Sequence, residues 1–94
     1  MFVVLLRFST NKAEAGRFMD MHKDWIKRGF DDAVFLMVGS LQPNSGGAIL
    51  AHNTSRGDLE ARVRGDPFVE HHVVSAEILE IAPARTDGRL RFLA

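Results

Sequence analysis

Apolar residues along this chain form two kinds of pattern: short unbroken runs, and one long stripe at helical spacing. Phe2 to Phe8 is an almost continuous run of branched and aromatic residues, which favours a strand covered on both faces. Ala33 to Val38 predicts a second such strand, closed by Gly39 and Ser40. Gln42 to Gly47 is rich in turn residues, and Ala48 to His52 returns after it as the third strand of a hairpin. Val73 to Ala82 predicts a fourth strand, with Val74, Ala76 and Ile78 on one face and Val73, Ser75, Leu79 and Ile81 on the other.

Between the first two strands, Ala15, Phe18, His22, Trp25 and Gly29 recur at intervals of three and four, the stripe of a helix facing a core. Asn11 with Glu14 fits a capping box, so this helix is expected to begin near Lys12 and to stop at Gly29. A second helix opens on Ser55 with Asp58 at the box position, anchored by Leu59 and Val63 and ended by Gly65. Asp66-Pro67-Phe68 then reads as a fresh cap with proline at the first helical position, hence one extra turn.

The order is βαββαβ. It predicts an α+β, ferredoxin-like fold: a four-stranded antiparallel sheet with two helices on one face. Two helices leave the other face bare, yet the strands are apolar on both sides. An apolar patch of that size asks for a cover, and a homodimer through the open sheet face is the economical one. The domain is expected to span residues 1–83. The tail, 84–94, holds an Asp87-Gly88 turn signal and a short edge strand from Arg89 to Leu93.

Composition narrows the function. At 94 residues the chain has room for one core, and 46% apolar with 26% charged residues is an ordinary globular balance. Twelve basic and twelve acidic residues cancel, which argues against nucleic acid as a partner. No apolar run approaches the roughly 18 residues of a spanning helix, and the opening run is too short for a secretion signal, so no membrane partner is expected. Without cysteine there is neither a disulfide nor a thiolate metal site. A soluble cytoplasmic protein is the expectation.

His22 is the odd member of the helical stripe, a titratable ring where leucine would pack better. It reads either as a catalytic base or as a core histidine bonded to backbone. Asp66 is explained as a helix cap, a position that does not forbid orienting an imidazole as well. Arg7 could pin an anionic ligand, or could reach solvent or pair across a dimer. Ser40 could donate to a ligand, or simply follow glycine in a turn. Trp25 and Phe18 read as core, or as the wall of an aromatic-binding pocket beside His22. Glu77 is an acid in an apolar strand, suited to an interface salt bridge or a strand edge. His52, His71 and His72 show no ligand spacing with each other or with carboxylates, so no metal is expected.

The chain resembles the YCII-related (YciI-like) family of the dimeric α+β barrel group. Three features carry the resemblance, which spans residues 1–83: His22 with Gly29 closing its helix, the strand ending Gly39-Ser40-Leu41, and Asp66-Pro67-Phe68 after the second helix. It departs where the family often has an acid after the first strand, here Ser9-Thr10, and where Ser40 replaces the usual proline. The resemblance implies a small enzyme working without a cofactor, with His22 and Asp66 as its reactive pair. It implies a small-molecule ligand, a cyclic or aromatic compound. From the residues themselves, Arg7, Trp25, Ser40 and Phe68 are the candidate contacts. Lyase or isomerase proton transfer is the leading expectation. A non-catalytic dimeric ligand-binding or accessory domain is the alternative. A cofactor-free monooxygenase of the same group is a third, and it would require Asn, Trp and His to converge on a deep apolar pocket.

Overall fold

The computed structural model describes all residues, Met1–Ala94. The chain forms β1 (Phe2–Phe8), a 3₁₀ turn (Lys12–Glu14), α1 (Ala15–Asp31), β2 (Phe35–Leu41) and β3 (Gly46–Ala51). α2 (Arg56–Arg64), α3 (Pro67–Glu70), β4 (Val74–Glu80) and a 3₁₀ segment (Gly88–Leu93) follow. The sheet order is β2-β3-β1-β4 with every neighbouring pair antiparallel, the ferredoxin-like arrangement that the element pattern predicts. β1 pairs on both edges, with β3 and with β4.

Strand alternation sorts each row of the sheet to one face. Register places Glu80, Phe2, Ala51 and Phe35 in one row under the helices, Ile78, Val4, Ile49 and Val38 in the next, and Ala76, Leu6, Gly47 and Ser40 in the third. Trp25, Leu59, Val63 and Phe68 press on this face from the helices and complete the buried core with Val4 and Ile49. A core of this kind accounts for most of the helices' stability, since burial contributes roughly 25 cal/mol per Å² of apolar surface.

Several local details differ from the sequence-based expectation. Asn11 makes no capping bond; its Nδ2 donates to His71 O at 2.9 Å, tying the exit of β1 to the end of α3. The regular helix therefore starts three residues later than Lys12, behind a 3₁₀ turn. Gly29 does not end it either. Its bare Cα lies against the Phe35 ring, where any Cβ would overlap, and α1 runs on to Asp31. Ala33 then turns the chain at φ 59°, so β2 begins only at Phe35 and takes in Gly39 and Ser40. Gly46 and Gly47 belong to β3 rather than to the turn. The caps at Ser55 and Asp66 form as expected, accepting from Asp58 N at 3.1 Å and Phe68 N at 3.0 Å.

The tail is no edge strand. Residues Gly88–Leu93 form a 3₁₀ segment capped by Asp87, whose carboxylate accepts from Arg89 N at 2.9 Å. The Asp87 carboxylate, by taking a local backbone donor, favours a turn over ladder bonds.

The opposite face of the sheet carries the row Leu79, Val3, Leu50 and Met37, one residue from each strand. Leu79 is 43% and Met37 51% exposed, and Ile81 extends the patch beyond the sheet edge. No helix of this chain covers it. Arg7 and Glu77 also lie on this face, joined at 2.8 Å.

Candidate active site

Each member of the candidate pair is held by its own element. Asp66 sits at the junction of α2 and α3, wholly buried, because Pro67 and the cap bond to Phe68 fix the backbone there. His22 projects from the middle of α1 with its side chain 12% exposed. Its Nδ1 lies 2.7 Å from Asp66 Oδ1, the same oxygen that accepts from Phe68 N. Against a carboxylate, Nδ1 donates, which leaves Nε2 as the acceptor of a neutral ring. Nε2 has no protein partner and is not buried.

The imidazole is clamped as well as bonded. Its ring stacks on Phe68 with centroids 3.9 Å apart and planes 3° from parallel, and Trp25 stands behind it at 5.9 Å. A second histidine offers a contrast. His71 stacks on Phe18 at 4.0 Å, yet no carboxylate holds it. Asp66 is further set apart by its second oxygen: Oδ2 is buried without any partner. Leaving a carboxylate oxygen unsatisfied costs on the order of 1–3 kcal/mol, which capping alone does not call for, since Ser or Asn would cap as well.

Beside His22 the layer between α1 and the sheet opens into a hollow of about 290 Å³. The third row of the sheet is small, with Ala76, Gly47 and Ser40 around Leu6, so nothing rises to fill the space under α1. Gly46 is fixed by geometry. At φ 132° its absent Cβ would strike the Leu6 carbonyl. Met19 and Ile26 from α1, Phe8 and Val38 from the sheet, and Phe68 from α3 make the walls largely apolar. Three polar side chains reach the lining: His22, Lys23 and Ser40. An apolar cavity with a few convergent polar groups is the usual form of a small-molecule site.

The structure brings His22, Ser40 and Phe68 together around this hollow. It does not bring Arg7, which lies on the opposite sheet face bound to Glu77. Strand alternation explains the separation: Leu6 faces the helices, so Arg7 faces away. Trp25 does not line the hollow. Its indole is buried in the core and donates to Arg62 O at 2.9 Å. No asparagine lines the space either, so the converging Asn, Trp and His of the monooxygenase alternative are absent. Lys23, Met19 and Gly47 also line the hollow, beyond the sequence-based expectation. The first two share a helix face with His22 and Ile26 at spacings of three and four; Gly47 carries a turn signature in the sequence.

No cluster of three or more His, Asp or Glu side chains could hold a metal ion. No helix is long and apolar enough to cross a membrane.

The fold and its paired imidazole and carboxylate define a small α+β domain with a ligand-sized hollow. No protein-family model matches the chain, and no curated protein sequence matches it. Among solved structures it is similar to the 5-chloro-2-hydroxyhydroquinone dehydrochlorinase of Burkholderia phenoliruptrix, determined in complex with 2,5-dihydroxybenzoquinone. The two superpose with a TM-score of 0.69 at 12% identity, over 86% of this chain and 93% of that one. At that identity the likeness is one of fold.

Proposed function

We propose that this chain is a YciI-like small-molecule enzyme that moves a proton with His22 during lyase or isomerase chemistry on a small cyclic or aromatic compound. The observation that carries the proposal is the pairing of His22 Nδ1 with a fully buried Asp66 at 2.7 Å, while the ring forms part of the wall of the hollow. Asp66 holds the tautomer in which Nε2 is free, and it faces the imidazolium that forms when Nε2 takes a proton. In an elimination, Nε2 would remove a proton beside an activating carbonyl, and the released electron pair would expel the leaving group. In an isomerisation, the same proton would return to a different carbon. Neither route needs a group beyond the side chains present. The fold neighbour is named as a dehydrochlorinase, and loss of HCl from a ring is an elimination of this type.

We also propose that the bare sheet face is covered by a second copy of the chain. The continuous row Leu79, Val3, Leu50 and Met37 supports it. A Leu79→Glu, Met37→Glu double variant would sediment as a monomer at concentrations where the native chain sediments as a dimer. A native chain that is monomeric at tens of micromolar overturns this part.

A second reading has one observation in its favour. The oxygen of Asp66 that meets His22 is also the one that caps α3, so the pair could serve folding alone in a binding module. Deuterium exchange separates the two. Cyclic enolisable and hydroxylated ring compounds are incubated with the protein in D₂O, and exchange at carbon is followed by NMR. The native chain is expected to accelerate exchange for some of them, and His22→Gln to lose about 10²–10⁴-fold. Equal exchange with both proteins would overturn the enzyme reading.

A further inference from the structure

Charge around the hollow is one-sided. Lys23 and His22 are the titratable side chains in its lining, Ser40 adds a hydroxyl, and no Asp or Glu reaches it. Asp66 touches the site only through the imidazole, buried behind it. Five of the twelve lysine and arginine side chains are held in ion pairs. Arg7, Lys27, Arg56, Arg62 and Arg89 all pair with carboxylates. Lys23 makes no ion pair and no side-chain hydrogen bond, although it shares α1 with Asp20 and Asp24. An unpaired ammonium at the rim of an apolar cavity sets a positive potential where a ligand enters, and low-dielectric walls concentrate it.

We infer that the hollow selects a planar single-ring compound carrying one anionic oxygen group, with the charge held at the mouth by Lys23 and the ring lodged between Met19, Ile26 and Val38. This rests on the reading of the hollow as the ligand site. At about 290 Å³ the cavity lies at the low end of small-molecule sites, a size that suits a substituted single ring. The apolar walls suit the ring's faces, and Lys23 and the Ser40 hydroxyl supply donors at one end. A ring so placed has its charged end toward the rim and its carbon skeleton toward His22 Nε2, so Lys23 acts on specificity and orientation while His22 keeps the proton.

The test is equilibrium binding of two matched pairs by calorimetry at low salt, with amide chemical shifts to locate the ligand. Salicylate against salicylamide asks for a carboxylate; para-nitrophenolate against para-nitroanisole asks for an ionised ring hydroxyl. Native protein is expected to prefer the anion of at least one pair by about fivefold, the scale of one partly solvated ion pair, with shifts at Gly47 and His22. That preference vanishes in Lys23→Gln, reverses in Lys23→Glu, survives in Lys23→Arg, and shrinks as salt is raised. These surface changes leave the core untouched. Equal binding of anion and neutral partner by the native protein, or a preference that survives Lys23→Gln, overturns the inference while leaving the hollow as a ligand site. If no ring shifts the amides around the hollow, the ligand-site reading itself falls and takes the inference with it.

Discussion

Under α1, one sheet face is used in two opposite ways. At the Trp25 end, Phe35, Ile49 and Leu59 fill the layer, and even Gly29 is needed because the Phe35 ring leaves no room for a Cβ. At the His22 end, the facing row is Ala76, Gly47 and Ser40, and the layer stays open. The two meet along α1, where Trp25 faces the packed layer and the next residue, Ile26, lines the hollow. The packed end contributes stability through burial. The open end gives some of that up and holds a buried carboxylate with an unpartnered oxygen. Local departures of that sort gather where a protein binds or reacts rather than where it is merely held together.

If the contrast is real, substitutions at the two ends will differ in kind. Trp25→Ala is expected to cost the most, roughly 3–5 kcal/mol of stability, since it removes a buried indole and leaves Arg62 O without its donor. Urea unfolding measures it; a loss near 1 kcal/mol would mean the end is not close-packed. Gly29→Ala follows at roughly 1–3 kcal/mol, because the new methyl must displace Phe35 or spread the helix from the sheet.

These consequences separate what was legible in the sequence from what was not. Apolar runs, the helical stripe and the Ser55 and Asp66 caps rest on short-range rules, and the elements they predict are present. The βαββαβ order then leaves little choice of topology. What failed depended on distant residues. Asn11 looked like a cap because nothing local shows that His71 O will claim its side chain. Gly29 looked like a helix end because a close approach to Phe35 is invisible along one helix. Arg7 is the exception, a local matter: of its readings as ligand contact or as a residue reaching solvent or a dimer partner, alternation from Leu6 turns it away from the pocket. His22 was conspicuous as a misfit in its stripe, but its pairing with Asp66 came from the family resemblance. Lys23 carries no signal of its own in the sequence, because an exposed helical lysine looks like any solvated one.

At the open end the expected effects fall on chemistry more than on folding. Asp66→Asn keeps an acceptor for Phe68 N, so stability should stay within about 1 kcal/mol of native. Proton transfer should nonetheless fall between roughly tenfold and 10²-fold, part of a full general-base contribution. Equal exchange rates would reduce Asp66 to a cap. Gly47→Ala is the mildest. Its Cβ would meet only Gly39 O, at 3.3 Å, so unfolding should shift by less than about 1 kcal/mol while ring binding weakens as the hollow loses depth. Unchanged binding would place the ligand elsewhere.

The central claim is that Asp66 holds the His22 ring so that Nε2 faces the hollow as a proton acceptor. Long-range ¹H–¹⁵N correlation of the histidine rings, on uniformly labelled protein at a pH where the rings are neutral, reads the tautomer directly. The account predicts that His22 alone among the four histidines carries its proton on Nδ1 with an unprotonated Nε2, and that Asp66→Asn weakens this bias. A native His22 ring protonated on Nε2 would contradict it.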